Sequence, residues 1–290
     1  MDEPTSPWQG RRVLVTGCTG FLGGAVVGEL LARGAEVIGL VRDRAADVEF
    51  ARHTLTGRVH VVHGRVEDLF RLHSALAVYE AGAVFHLATA DPTRPDRGLV
   101  TVIEAARRYD PRIPVVAARP VASSENATTS PPVFPPVPLG IARFGEVFGG
   151  GDRKVYRVVP ATVIALISGE RGSNTAPSSS RDFVPVRDAA RACVMLAESL
   201  ATRPGPHLQD LTFRSGWALT DKEMGGTIRD VFAGCPVTPT ANQPPTHPLG
   251  WTPTTTLTDA LAETIRWYRE FLRTRFFGTR PADTTHRAAA

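Results

Sequence analysis

Short apolar runs alternate with longer stretches in which apolar residues return every three or four positions, and the two periods take turns through the first half of the chain. Arg12 to Thr16 (RVLVT) is β-branched and predicts a strand. GGAVVGELLARG follows, where Ala25, Val26, Leu30 and Leu31 share one helical face and Gly34 supplies the stop. Glu36 to Val41, Arg58 to Gly64, Ala83 to Ala88 and Pro114 to Ala118 predict further strands, and LVTVIEAARRY predicts a helix. Strands alternating with helices of this length specify an α/β fold, a doubly wound parallel sheet of Rossmann type.

Arg119 to Pro138 is rich in proline and serine and predicts a long loop. The pattern then predicts a short helix over Leu139 to Val147 and a strand over Val155 to Ile167. RDFVPVRDAARACVMLAE predicts a strand running into a helix, with Asp188 near the helix start. A β segment over Leu211 to Phe213 precedes two helices, Asp221 to Phe232 and Leu257 to Arg273. The expected organisation is a dinucleotide-binding domain over 1–165, a small C-terminal substrate lobe over 166–279 interwoven with it, and a frayed tail over 280–290.

The strongest local chemistry lies between the first strand and the first helix, in Thr16-Gly17-Cys18-Thr19-Gly20-Phe21-Leu22-Gly23. Glycines at this spacing allow a tight turn, close approach to a pyrophosphate and close helix–strand packing, and the helix N-terminus adds amide donors. The second strand ends Val41-Arg42-Asp43-Arg44. An arginine there pairs with the 2′-phosphate of NADP and an acid with the ribose hydroxyls of NAD, so Arg42 favours NADP while Asp43 keeps NAD open. Cys18 inside the loop is either a packing residue or a thiol activated by the helix terminus, with packing favoured.

Composition narrows the classes. The chain has 290 residues and a net charge of +4, and Lys154 and Lys222 are its only lysines. The arginines are interspersed with acids rather than clustered, so nucleic acid is not an expected partner. No apolar run approaches the roughly eighteen residues needed to cross a bilayer, so no membrane partner is expected. Three scattered cysteines and an acidic N-terminus lead to the expectation of a reduced, cytoplasmic setting. His60 and His63 would point to opposite faces of one strand, so no metal site is expected.

With these motifs in order, the chain resembles the extended short-chain dehydrogenase/reductases of the NAD-dependent epimerase/dehydratase type, nucleotide-sugar 4,6-dehydratases and epimerases in particular. TGCTGFLGG is similar to the family's cofactor loop, and AVFHLATA to the segment beside the cofactor after the fourth strand. RDFVPVRDAARACVMLAE is similar to its RDFVYVDDVARA segment, with Arg181, Asp182, Val186 and Asp188 in register, and LGWTPTTTLTDALAETIRWY to its C-terminal segment. The resemblance implies cofactor contacts from Gly17, Thr19, Gly20, Phe21, Leu22, Gly23, Arg42, Asp43, Val66, Leu87, Ala88 and Thr89.

The chain departs from that family where the chemistry should be. The family's acid/base tyrosine is followed four residues later by a lysine, and here Gly150 precedes Lys154 and Ala218 precedes Lys222. Aligning Glu146 with the family's acid puts Pro138 at the tyrosine and Ala142 at the lysine, and neither can move a proton. The fifth strand ends Ala118-Arg119-Pro120, so the assisting hydroxyl is lost unless Ser123 or Ser124 slides into place. Arg65 follows Gly64 where the resemblance implies an acid. Only GERGSNTAPSSS separates the expected sixth strand from the RDF segment, which implies a trimmed substrate lobe.

The sequence reading is therefore an atypical enzyme of this fold catalysing dehydration, isomerisation or cyclisation of a small metabolite without net hydride transfer, in specialised metabolism. A non-catalytic NADP-binding sensor or scaffold and an orthodox sugar-nucleotide enzyme are the alternatives. NADP is the expected cofactor, with NAD open and a vestigial site the other possibility. His86, Asp91, Arg119 and Glu125 are the candidate catalytic groups, in a polar inventory that also holds Arg94, Arg143 and Glu146. Tyr109 and Phe144 would suit a homodimer surface.

Overall fold

The computed structural model describes residues 6–42, 58–88, 96–121, 135–170, 179–203, 205–235, 237 and 249–277. Its main sheet is built from β1 (Arg12–Thr16), β2 (Glu36–Val41), β3 (Val59–His63), β4 (Ala83–His86), β5 (Val115–Pro120), β6 (Pro138–Phe144) and β9 (His207–Phe213). These run in the order β3-β2-β1-β4-β5-β6-β9, and every pairing is parallel. A parallel sheet is covered on both faces, which is why its strands read as unbroken apolar runs.

Alternate residues feed two cores. Val13, Val15, Val37 and Val116 face α1 (Phe21–Ala32) and α5 (Val186–Thr202). Leu14, Ile38, Val84, Val115, Leu139 and Ile141 face α2 (Leu69–Val78) and α3 (Arg97–Tyr109). A third core joins β7 (Glu146–Phe148), β8 (Arg181–Pro185), α4 (Val158–Ile167), α6 (Asp221–Phe232) and α7 (Leu257–Phe277) through Phe148, Val163, Phe183, Trp217, Ile228 and Leu261. There β8 lies between β7, to which it is parallel, and β10 (Ala218–Leu219), to which it is antiparallel.

Two expected elements change type. Leu139 to Val147 is not a helix: β6 occupies 138–144 in the main sheet and β7 occupies 146–148 in the three-stranded sheet. An apolar segment buried on both faces carries no period to distinguish strand from helix. Gly140 permits α5 to press on β6, since a Cβ there would stand 2.8 Å from the Leu196 side chain. Val155 to Ile167 is not a strand: Arg157 caps α4, which buries Val158, Val159, Thr162 and Val163, a helical spacing obscured by β-branched residues. Pro160 falls in the first turn, where an amide has no intrahelical acceptor to lose. The helix α2, capped by Asp68 accepting from Arg71 N at 2.9 Å, was not anticipated.

These corrections reach the chemistry. Pro138 and Ala142 both lie on β6, buried between β5 and β9, so neither stands at a tyrosine or lysine position of a helix. The connection from β5 to β6, residues 121–137, contains neither tyrosine nor lysine. Nor is the interval from the end of β6 to Arg181 short, because it holds β7 and α4 as well as the twelve residues GERGSNTAPSSS.

Candidate functional site

All seven parallel strands deliver their C-terminal ends to one edge of the sheet, the edge where open α/β folds hold ligands. The β1–α1 turn is built by its glycines. Gly17 has φ +71°, and a Cβ there would lie 2.4 Å from Ala88 N. A Cβ on Gly23 would lie 1.9 Å from Gly17 O, so the turn and the helix share one van der Waals envelope that only glycine permits. Gly20 caps α1 without a side-chain bond, the first turn carries no acid, and the first helical amide bonded back is Gly24 N to Gly20 O at 2.8 Å. The amides of Phe21, Leu22 and Gly23 precede it and have no intrahelical acceptor. A cradle closed to side chains, with free donors and a positive helix end, fits a dinucleotide pyrophosphate.

Of the expected cofactor contacts, Thr19, Gly20, Phe21, Leu22, Gly23, Leu87 and Ala88 line a common cleft. Gly17 shapes it from behind by its contact with Ala88. Arg42 is exposed at the end of β2. Val66 packs against the core of α2 and α3, at the turn that follows Gly64. Asp43 and Thr89 lie outside the described residues. Cys18 is buried, 1% exposed, with Sγ 3.7 Å from Leu40 O, which fits the packing role.

Opposite the glycine turn, three elements bring charged groups together. Asp96 caps α3 by accepting from Leu99 N at 2.9 Å. Its carboxylate is ion-paired with Arg119 at the end of β5 and lies 3.5 Å from Nε2 of His86 at the end of β4. His86 is 1% exposed; Nδ1 is 2.8 Å from Thr16 Oγ1, and Nε2 has no hydrogen bond of good geometry among the described residues. If the Thr16 hydroxyl donates to Nδ1, the ring proton sits on Nε2 and faces Asp96. Burial alone would raise the Asp96 carboxyl, but contact with His86, the Leu99 amide and the Arg119 charge hold it down at about 2. Burial pushes Arg119 below the usual guanidinium value, and the neighbouring Arg143 adds to this while Asp96 opposes it. At neutral pH Asp96 is a fixed anion and Arg119 a fixed cation, so both orient and stabilise charge rather than carry protons.

Of the four expected catalytic groups, the structure brings His86 and Arg119 together through Asp96. Asp91, Glu125, Arg94, Ser123 and Ser124 lie outside the described residues. Glu146 is turned into the lobe, paired with Arg157 at 2.6 Å. Asp96 was missed, although an aspartate three residues before Leu99 at a helix start has the form of an N-cap. Phe144 is not a surface residue: it is 2% exposed and stacks on Phe213 at 5.6 Å. Tyr109 is half-buried against the α2–α3 core.

The cleft measures about 1170 Å³ and runs from the glycine turn past Ala88 to Asp96, Arg119 and Arg143, with Lys154 and Trp267 on the lobe side. All four tyrosines, Tyr79, Tyr109, Tyr156 and Tyr268, are among the described residues, and none lines it. The RDF segment serves as a fastening. Asp182 accepts from the amides of Ser215 and Gly216, both at 2.9 Å. Asp188, 1% exposed, accepts from Thr254 N at 3.0 Å, Thr254 Oγ1 at 2.8 Å and Arg191 at 3.2 Å. Among the described residues no group of three metal-ligating side chains occurs, and no helix is long and apolar enough to cross a membrane.

Comparison with known proteins agrees with this picture. Residues 13–118 match the profile of the NAD dependent epimerase/dehydratase family. CDP-glucose 4,6-dehydratase of Salmonella typhimurium (strain LT2) is 22% identical over a 340-residue alignment covering 92% of each chain. Among solved structures, dTDP-glucose 4,6-dehydratase of Bacillus anthracis, in complex with NAD, superposes with a TM-score of 0.71 at 17% identity, covering 90% of this chain and 97% of that one. UDP-glucose 4-epimerase of Thermotoga maritima, with UDP-glucose, gives 0.67 at 20% identity, covering 90% and 99%. The match to the NAD dependent epimerase/dehydratase family is thus confined to residues 13–118, which hold the glycine turn and β1 to β5, while the solved structures share the parallel fold over about nine-tenths of the chain.

Proposed function

We propose that this protein binds a nicotinamide dinucleotide along the glycine turn and a nucleotide sugar beside it, and catalyses an epimerisation or dehydration with no net redox change. The observation that carries the reading is the single continuous cleft of about 1170 Å³. That exceeds what one drug-sized ligand fills, commonly about 300–1,000 Å³, and suits a dinucleotide with a second molecule. Its two walls are chemically distinct, one of backbone amides and one of charged side chains. The relatives bind or act on nucleotide sugars, which supports that substrate class.

A bound nicotinamide ring supplies a reversible hydride acceptor. Gly17, Gly20 and Gly23 shape the turn, and the Phe21 and Leu22 amides would donate to a pyrophosphate held there. Arg119 stabilises negative charge developing on the substrate, with Asp96 and His86 holding its guanidinium in place. No tyrosine–lysine pair takes part, since no tyrosine lines the cleft and no tyrosine is followed by lysine four residues on; Lys154 lines the cleft without a tyrosine beside it there. The same absence favours a second reading, a non-catalytic dinucleotide-binding protein.

The test begins with the purified protein denatured and any released nucleotide identified by mass spectrometry, followed by NAD and NADP titration of stripped protein. Incubation with CDP-, dTDP- and UDP-glucose then reports turnover by product analysis. Consumption of a sugar nucleotide without accumulation of reduced cofactor is expected. Stoichiometric dinucleotide binding with all substrates intact would move the assignment to the binding-only reading.

A further inference from the structure

In the parallel register of β5 and β6, Arg119 stands directly opposite Arg143. Paired residues on neighbouring parallel strands share a face and lie about 4.8 Å apart. Two guanidiniums therefore leave the same edge side by side, and both line the cleft. Each is steadied by a carboxylate. Arg119 is paired with Asp96, whereas Arg143 donates through Nε and Nη2 to Asp210 at 2.6 and 2.8 Å. Arg119 also gives Nη1 to Ala118 O at 2.9 Å. Among the described residues nothing engages Arg119 Nε or Arg143 Nη1.

Side-by-side cations repel, and the Arg119 side chain is only 13% exposed, so water screens it poorly. Asp96 and Asp210 offset that repulsion, and an anion between the arginines would take up the donors these carboxylates leave unused. The anion is not the dinucleotide pyrophosphate, because β1 lies two strands from β5 and three from β6, about 10–14 Å at ordinary strand spacing. Resting on the reading above, we propose that Arg119 and Arg143 receive an oxyanion of the substrate, a carboxylate or phosphate distinct from its nucleotide diphosphate, so that the enzyme prefers an acidic substrate. Asp96, Asp210 and His86 are positioning residues for this pair.

The test uses the full chain loaded with NAD and a matched pair of probes, UDP-glucose and UDP-glucuronate, which differ in carrying a hydroxymethyl or a carboxylate. Calorimetric titration should show UDP-glucuronate binding at least about tenfold tighter. Arg143→Met should bring the ratio near one. So should the double variant Arg119→Gln/Asp96→Asn, which removes the buried ion pair as a unit and strands neither charge. Cooperative thermal unfolding certifies that each variant folds. Equal wild-type affinities, or a ratio unchanged in folded variants, would overturn the inference while leaving the nucleotide-sugar reading standing.

A second arm measures protection from thermal unfolding by inorganic phosphate and by free glucuronate, in wild type and in the same variants. Protection that needs the arginines, without binding of either UDP-sugar, would retain the acidic-substrate inference and remove the nucleotide-sugar reading. The anion that protects identifies the chemistry, phosphate or carboxylate. Absence of protection together with absence of UDP-sugar binding would remove both.

Discussion

Gly23 and Gly28 lie five residues apart on α1, and replacing each by alanine separates helix propensity from the shape of the dinucleotide turn. In a helix interior alanine is better than glycine by about 1 kcal/mol. A Cβ at Gly28 meets nothing within 4 Å, so Gly28→Ala should stabilise the protein by about that amount. At Gly23 the same gain is opposed by a contact of 1.9 Å with Gly17 O and 2.7 Å with Gly17 C. Both are backbone atoms of a turn that is itself wedged against Ala88, so neither can yield. The helix would have to lift by more than about 1 Å, which loosens Val26, Val27 and Leu30 in the core. Overpacking of this kind costs about 1–3 kcal/mol and sometimes more. The expectation is that Gly23→Ala destabilises by about 2 kcal/mol net, which separates the two variants by about 3 kcal/mol. Urea unfolding with a common m-value measures the difference, and NAD titration should show loss of binding in Gly23→Ala alone. Two variants within about 0.5 kcal/mol of each other would refute the argument that the turn and helix share one tight envelope.

Asp96 gives a pH prediction. Its folded-state pKa lies below the ordinary value, so its stabilisation is present above about pH 4 and is lost as pH falls through about 2. At 1.36 kcal/mol per unit, a fall from 3.8 to about 2 corresponds to about 2 kcal/mol. Asp96→Asn should therefore be less stable than wild type by about that amount at pH 6, and the gap should close below pH 4 in denaturant titrations. Asp188→Ala removes the acceptor of Thr254 N, Thr254 Oγ1 and Arg191, and should cost about 3–5 kcal/mol in chemical unfolding. Of the three thiols only Cys235 is exposed; Cys18 is buried, and burial pushes Cys193 up to about 12. A thiol-reactive chromophore should titrate one group rapidly in the native protein and three after denaturation.

The parallel sheet was legible because its first strands are short apolar runs and the helices after β1 and β4 show a helical period, even though α2 escaped notice; the glycine turn was legible because its spacing admits no side chains. Both are local constraints, written in neighbouring residues. Of the two elements that changed type, β6 is buried on both faces along most of its length and carries no period from which to choose, while the helical spacing of α4 is obscured by β-branched residues. That ambiguity spread into the site: aligning Glu146 with the family's acid placed Pro138 and Ala142 at the tyrosine and lysine positions beside an expected helix over 139–147, whereas strand pairing puts both in the core. The charged wall depended wholly on tertiary structure. Arg119 was visible as a charge at a strand end, but Asp96 joins it from a helix cap and His86 from another strand. Arg143 stands beside it only because two parallel strands fall into one register. The sequence alone determined where the chain would make its glycine turn, since steric exclusion acts between near neighbours. Only folding decided which charges would meet across the cleft, because their separation is set by strand pairing and helix packing between residues far apart in the chain.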